Sequence, residues 1–496
     1  MPNNWKSLSA IKYRIILLLP ILSLIPRQAV SQSVSAIERN VNEVLQSNGM
    51  TNASMSVMVY NISKNQTVYS YHPQLSLIPG SLNKIFTTAV GFEQLGTDFR
   101  FCTKLCYDGS VDRMGTLHGN IYIIGGGDPM LGSNRFKQTM PDTLFASWKR
   151  AMESKGIHQV DGRIYYYTGI YDNHPLHDSW AWGDIGNYYG AGVYGLNFHE
   201  NMYTVRFAPG KRIGSPSTVV QIEPKDLNVK SNNEVTTAGE NSGDQVIIYG
   251  DPQSSVRRYC GTVPLGKPFD VRGAMPTPPR SCAELFSEYL RLHNMHVSNN
   301  ASECVSLPDR LNTVMEYYSN TYYVIAQYTN QTSNNIYAES IFKYLGYNAY
   351  HLGTFANGSK CINQFFKNNN LKAVGVNVLD GSGLSRLNLV TAEFVCRFLT
   401  VVQMKPFYND FRQSLSKVRE SGTARNLLRD LPSDVEIYVK SGTLTGVKSY
   451  AGYFVNRQGD LLCFCVIVNN HTCSAADIKN RMEKVLRPIA LYQPAK

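Results

Sequence analysis

Ser81-Leu82-Asn83-Lys84 constrains this chain more than any other stretch, because it sets a nucleophile and a base at positions i and i+3. Pro79-Gly80 form a turn in front of it, and Ile85 to Phe92 continue as a mostly apolar, helix-compatible run. On a helix, residues three apart share a face, so the Lys84 amine reaches the Ser81 hydroxyl. A serine hydroxyl alone is a poor nucleophile at neutral pH. A lysine held in a dry, positively surrounded pocket loses its proton and can act as the base. Taken by itself the spacing also has a plainer reading, an N-cap serine with a solvated lysine one turn on.

Two later segments decide between these readings. Ser333-Asn334-Asn335 stand just before a helical run, Ile336 to Phe342. Lys440-Ser441-Gly442 end an alternating run, Val435 to Val439, that reads as a β-strand. S-x-x-K, S-x-N and K-[ST]-G in this order, each in its expected local context, form the signature of penicillin-recognising serine acyl-transfer enzymes.

The chain of 496 residues is long enough for two or three domains. Residues 1–31 read as a secretory signal: Lys6, Lys12 and Arg14 are the charged region, Ile15 to Ile25 the apolar core, and Ala29-Val30-Ser31 the cleavage site. The chain is therefore expected to be exported. That segment holds four basic residues (with Arg27) and no acidic one, so the mature chain is less basic than the formal +11. A mild positive excess suits attraction to an anionic envelope polymer or membrane surface. There is no long Lys/Arg run and no nucleic-acid module, which sets nucleic acid aside as a partner.

Ten cysteines in an exported chain permit disulfides. Cys102 and Cys106 are close enough to pair if the chain between them turns back. Cys463 and Cys465, at i and i+2 of a strand, face the same side and read as buried apolar residues. No spacing of cysteine or histidine matches a zinc site, so no metal is expected.

Residues 54–71 alternate around Asn61 to Asn65 as a β-hairpin, and Tyr450 to Val455 with Leu461 to Val468 form a second. A terminal helix follows from Ser474 to about Leu491. Strands from both ends and a helical centre predict one α+β domain from distant parts of the chain, 32–100 and 276–496. Between them, 101–275 shows short strand-like pieces with few helix patterns and reads as a β-rich insertion. Gly125-Gly126-Gly127-Asp128-Pro129 is a turn and no phosphate cradle, since no G-K-[ST] follows.

With these residues in place the chain resembles the D-alanyl-D-alanine carboxypeptidase/endopeptidase family of low-molecular-mass class C penicillin-binding proteins, peptidase family S13. Beyond the trio, the likeness includes Trp180-Ala181-Trp182-Gly183-Asp184 with Tyr189, Leu196 to Asn201, and Asp380-Gly381-Ser382-Gly383-Leu384-Ser385-Arg386. The large insertion between the first and second motifs belongs to the same likeness. The family often has threonine where Ser441 stands; both supply a hydroxyl. The resemblance implies a β-lactamase-like transpeptidase domain, an antiparallel sheet with helices, and no cofactor. It implies peptidoglycan stem peptides as substrate and β-lactams as covalent inhibitors.

It also implies roles. Ser81 is the nucleophile, Lys84 its base with Lys440 helping to keep it neutral, and Ser333 the proton relay to the leaving amine. Asn335 meets the substrate amide, Lys440 and Ser441, with Gly442 in the same substrate-binding motif, suit the terminal carboxylate, and the backbone N–H groups of Ser81 and Thr443 form the oxyanion hole. Asp184, with Tyr189 nearby, either meets the free amine of the substrate's diamino acid or is a helix N-cap or turn residue. Arg386 either pairs with a substrate carboxylate or braces the 381–385 turn. Two rival functions stand beside this one: a β-lactamase or esterase with the same trio, and a non-catalytic wall-binding module.

Overall fold

The computed structural model describes residues 32–225 and 227–494; the signal-like segment 1–31 lies outside them. At its centre is a six-stranded antiparallel sheet in the order 416–417, 437–444, 447–455, 461–469, 54–61, 66–71. The two hairpins expected from alternation are its neighbours, joined because Ser54–Asn61 pairs along its whole length with Leu461–Asn469.

One face of the sheet is covered by the terminal helices, Gln32–Leu45 and Ala475–Ala490. The second buries Ile478, Met482, Val485, Leu486 and Ile489 at helical spacing, and Ser474 caps it by accepting the Asp477 N–H. The opposite face carries the helices Lys84–Leu95, Tyr322–Thr332, Asn335–Tyr350, Phe355–Asn368 and Ala392–Gln403 around a core of Phe86, Phe366, Phe394 and Phe398. Successive residues of Ile437–Leu444 serve the two faces in turn, Ile437 and Val439 toward one and Tyr438 toward the other.

The remaining chain builds two further cores. A five-stranded mixed sheet, ordered 302–303, 164–167, 121–124, 102–107, 312–318, packs against the helices Pro141–Ser154 and Pro278–Leu292. Two three-stranded sheets from residues 202–274 share a separate core around Tyr203, Phe207, Ile248 and Tyr259.

Three expectations change here. The return to the main domain near 276 is wrong: strands 302–303 and 312–318 pair with 164–167 and 102–107, so the chain leaves the second unit only at about Ser319. The insertion is less purely β-rich than expected, because Pro141–Ser154 forms a helix with Leu144, Phe145, Trp148 and Met152 buried on one side. Cys102 and Cys106 lie within one extended strand, so the four residue steps between them span about 13 Å along it; all ten cysteines are free thiols. The segment Ile170 to Val193 of the insertion, with Tyr171 and Trp180 buried, packs on the main core and thereby reaches the site below.

Candidate active site

Ser81 lies in a 3₁₀ turn, Gly80–Asn83, that runs directly into the Lys84–Leu95 helix. Gly80 enters at φ +55°, and a side chain there would stand 3.1 Å from the Thr443 nitrogen. Gly442 completes the contact from the other side. A Cβ on it would meet Pro79 O and Ser449 Oγ at 2.3 Å and Leu82 N at 2.9 Å. Glycine in the third motif therefore lets strand and turn touch, and the motif sits inside the strand Ile437–Leu444 and not at its end.

Lys84 is fully buried. Its Nζ donates to Ser81 Oγ at 2.9 Å, to Asn335 Oδ1 at 2.6 Å and to the Ser382 carbonyl at 2.8 Å. Burial pulls this lysine below its ordinary range, against the opposing pull of Glu339 and Asp380. The expected help from Lys440 is therefore not the main cause; removal from water is.

Ser333 occupies a left-handed residue, φ +57°, between the Tyr322–Thr332 and Asn335–Tyr350 helices. Asn334 caps the second helix by accepting the Tyr337 N–H. Lys440, fully buried, donates to Ser333 Oγ at 2.9 Å and to the Ser441 carbonyl at 2.7 Å. Burial first, then Lys84 and Lys448, hold Lys440 far below the usual lysine range. Ser441 Oγ lies 2.9 Å from Thr423 Oγ1, and Thr443 Oγ1 accepts from Lys448 at 2.7 Å.

The insertion closes the site from above. Asn335 Nδ2 donates to the Tyr189 carbonyl at 2.6 Å, and Tyr189 OH donates to Asp184 Oδ1 at 3.3 Å. Asp184 is not an N-cap, a position held by Ala181; it is half-buried in the short helix Trp182–Ile185. Burial raises its carboxyl, opposed by Tyr189 and by the charge of Arg386. Arg386 donates to the Thr445 carbonyl at 3.3 Å, beyond the third motif. Contacts thus join Ser81, Lys84, Asn335, Tyr189 and Asp184 in one line and Ser333, Lys440 and Ser441 in another, with Thr443 against Gly80, Gly442 against Pro79 and Arg386 against Thr445, and together they form one site. It can hold a neutral amine against a serine hydroxyl, with hydroxyl and ammonium donors along one strand edge.

A family model, D-Ala-D-Ala carboxypeptidase 3 (S13), matches residues 37–489. The chain belongs to that family. It is accordingly an enzyme of the serine carboxypeptidase class, with the penicillin-binding fold. It is 25% identical over 463 residues to the D-alanyl-D-alanine carboxypeptidase of Actinomadura sp. (strain R39), spanning 88% of this chain and 82% of that one. The D-alanyl-D-alanine carboxypeptidase DacB of Haemophilus influenzae is 21% identical over 440 residues, with 87% and 88% covered. The crystal structure of penicillin-binding protein 4 (DacB) from Haemophilus influenzae superposes with a TM-score of 0.77 at 20% identity, covering 91% of this chain and all of that one.

Sequence reading missed Glu339 as a member of this site. It is fully buried on the Asn335–Tyr350 helix, and its two oxygens accept the Gly381 and Ser382 N–H groups at 2.8 and 2.7 Å. Its position four residues after Asn335 places both on one helix face, a signal present in the spacing. Asp380, quoted above only as part of a motif, accepts from Gly383 N, Ser385 N, Asn388 Nδ2 and the indole of Trp180. Thr423 and Lys448 carried no local signal at all.

Proposed function

We propose that this enzyme is a periplasmic serine DD-peptidase that cleaves D-Ala-D-Ala-ended stem peptides, and their cross-links, through an acyl-enzyme on Ser81. The observation that carries this is the buried Lys84 amine 2.9 Å from Ser81 Oγ. Two of its three N–H positions are committed to Asn335 Oδ1 and the Ser382 carbonyl. The third faces Ser81, so loss of one proton leaves a lone pair aimed at that hydroxyl.

Ser81 Oγ then attacks the carbonyl of the penultimate D-alanine while its proton passes to Lys84. The backbone N–H groups of Ser81 and Thr443 would receive the oxyanion, each such donor being worth about 3–4 kcal/mol. The C–N bond breaks, and the departing amine takes a proton through Ser333, which Lys440 holds. Water next attacks the ester, the C–O bond breaks, and Ser81 regains its hydrogen. In cross-link cleavage the leaving amine belongs to a neighbouring diamino acid and the bond changes are the same. A β-lactam would follow the first half only, because its leaving nitrogen stays tethered to the acyl group.

Incubation with fluorescent penicillin, followed by mass spectrometry, tests this reading. A stable adduct on Ser81, with release of D-alanine from acyl-D-Ala-D-Ala peptides, is expected. Labelling elsewhere would overturn it. Rapid multiple turnover of penicillin without peptide cleavage would make the protein a β-lactamase instead.

A further inference from the structure

Lys448 has an unusual electrostatic setting. Antiparallel pairing sets it opposite Thr443, whose Oγ1 receives its ammonium at 2.7 Å. It is half-buried, 5.1 Å from the Tyr450 ring centre, and among the described residues no carboxylate pairs with it. Besides Tyr450, the groups that act on it or that it acts on are basic, and one of them, Lys479, is itself paired with Glu483 at 2.6 Å. Burial and Lys479 pull it down to about 8, and it in turn lowers Lys440 and His471. A half-buried cation among cations costs free energy until an anion arrives.

Ser441 and Thr443 lie two apart and so share a face of the strand. The Ser441 hydroxyl meets Thr423 Oγ1 at 2.9 Å, and Thr423 stands exposed on the turn Gly422–Ala424. That turn is pinned. Gly422 sits at φ +55°, where a Cβ would come within 2.4 Å of both the Gln331 carbonyl and Ser416 Oγ, and Ser421 Oγ accepts the Lys417 N–H at 2.9 Å.

Thr443 Oγ1 is already an acceptor from Lys448, which leaves its own O–H to donate outward. In the Thr423–Ser441 pair, one hydroxyl donates to the other and the second keeps a free O–H. Where Thr423 is the donor, the free O–H is that of Ser441, and two free donors then stand on one strand edge, backed by Lys440 and Lys448.

We propose that Lys448 and Thr423, which lie outside the three motifs, complete an anion subsite for the free carboxylate that ends the substrate. Lys448 acts through the Thr443 hydroxyl and Thr423 through the Ser441 hydroxyl, so both are positioning residues. The inference rests on the acyl-enzyme reading above and adds what makes the site select an acid over its neutral derivative.

The test compares acylation of Ser81 by benzylpenicillin and by its methyl ester, followed by intact mass. The wild-type chain should prefer the acid. Lys448→Met should lose about tenfold or more of that preference, and Thr423→Val about threefold or more, as expected for lost hydrogen bonds to a charged and a neutral partner. Lys448→Arg and Thr423→Ser should retain it. Equal slowing with both reagents, or an unchanged preference, would overturn the inference. If Lys448→Met does not fold, the Thr423 pair decides by the same criterion. A wild-type chain that neither reagent acylates on Ser81 defeats the acyl-enzyme reading itself. Acylation without acid preference leaves that reading standing and defeats only this one.

Discussion

Glu339 accepts the backbone N–H of Ser382 at 2.7 Å, and the carbonyl of the same Ser382 receives Lys84 at 2.8 Å. Glu339 thus anchors Ser382 through one peptide group, and the carbonyl of the next peptide group holds Lys84. Trp180, from the insertion, reaches the same turn by donating to Asp380 at 2.9 Å. The base is therefore braced by groups from three distant parts of the chain.

Glu339→Gln should weaken both fold and reaction. The amide offers one acceptor oxygen where Gly381 and Ser382 require two, so one buried N–H loses its partner at a cost of about 1–3 kcal/mol. Denaturant unfolding should show that loss, and penicillin acylation should slow in parallel. An unchanged midpoint with unchanged acylation would mean that the turn holds without Glu339.

Lys84→Ala should damage acylation nearly as much as Ser81→Ala, because hydroxyl and amine act as one unit. The double variant should be little worse than either single one. Acylation rates on the three variants check this, and a double variant far below both singles would show independent roles.

Acylation should rise with pH along a limb below the ordinary lysine range. Burial lowers Lys84, so its neutral, proton-accepting form prevails at a lower pH than for a free lysine. Raising pH through that limb increases the active fraction, and acidification removes it. A pH profile of the second-order acylation rate measures this. A limb at the position of an exposed lysine would show that the titrating base is not the buried amine.

Asp184→Asn should slow cleavage of peptides bearing a free side-chain amine more than acylation by a simple β-lactam, which lacks that group. Burial raises Asp184, so the same selectivity should fade on acidification at a higher pH than a free aspartate would give. Competition between peptides with free and acetylated amines measures both effects. Equal losses on all substrates would make Asp184 a support of the 182–190 segment alone.

Local order was legible because it repeats at short range. The terminal helix with its Ser474 cap, the two hairpins and the helices at Ser81 and Ser333 all follow from alternation, helical spacing or capping residues next to one another. The helix Pro141–Ser154 was hidden among β-rich neighbours, although Leu144, Phe145, Trp148 and Met152 carry its spacing. The end of the insertion was misplaced because its last strand, 312–318, earns its place only by pairing with 102–107, some two hundred residues earlier.

By itself, the sequence determined which groups meet at the candidate site: Ser81 with Lys84 one turn apart, Ser333 and Asn335 at a helix start, and Lys440 to Gly442 on a strand. Those relations are set by backbone geometry within a few residues, so the order of residues carries them. Tertiary structure alone decided how that chemistry is tuned. Burial, not a neighbouring lysine, lowers Lys84; Glu339 anchors Ser382, whose carbonyl holds it; Lys448 and Thr423 flank the third motif. Removal from water and contact between strands far apart in sequence are properties of the packed chain. They exist only once distant segments have met.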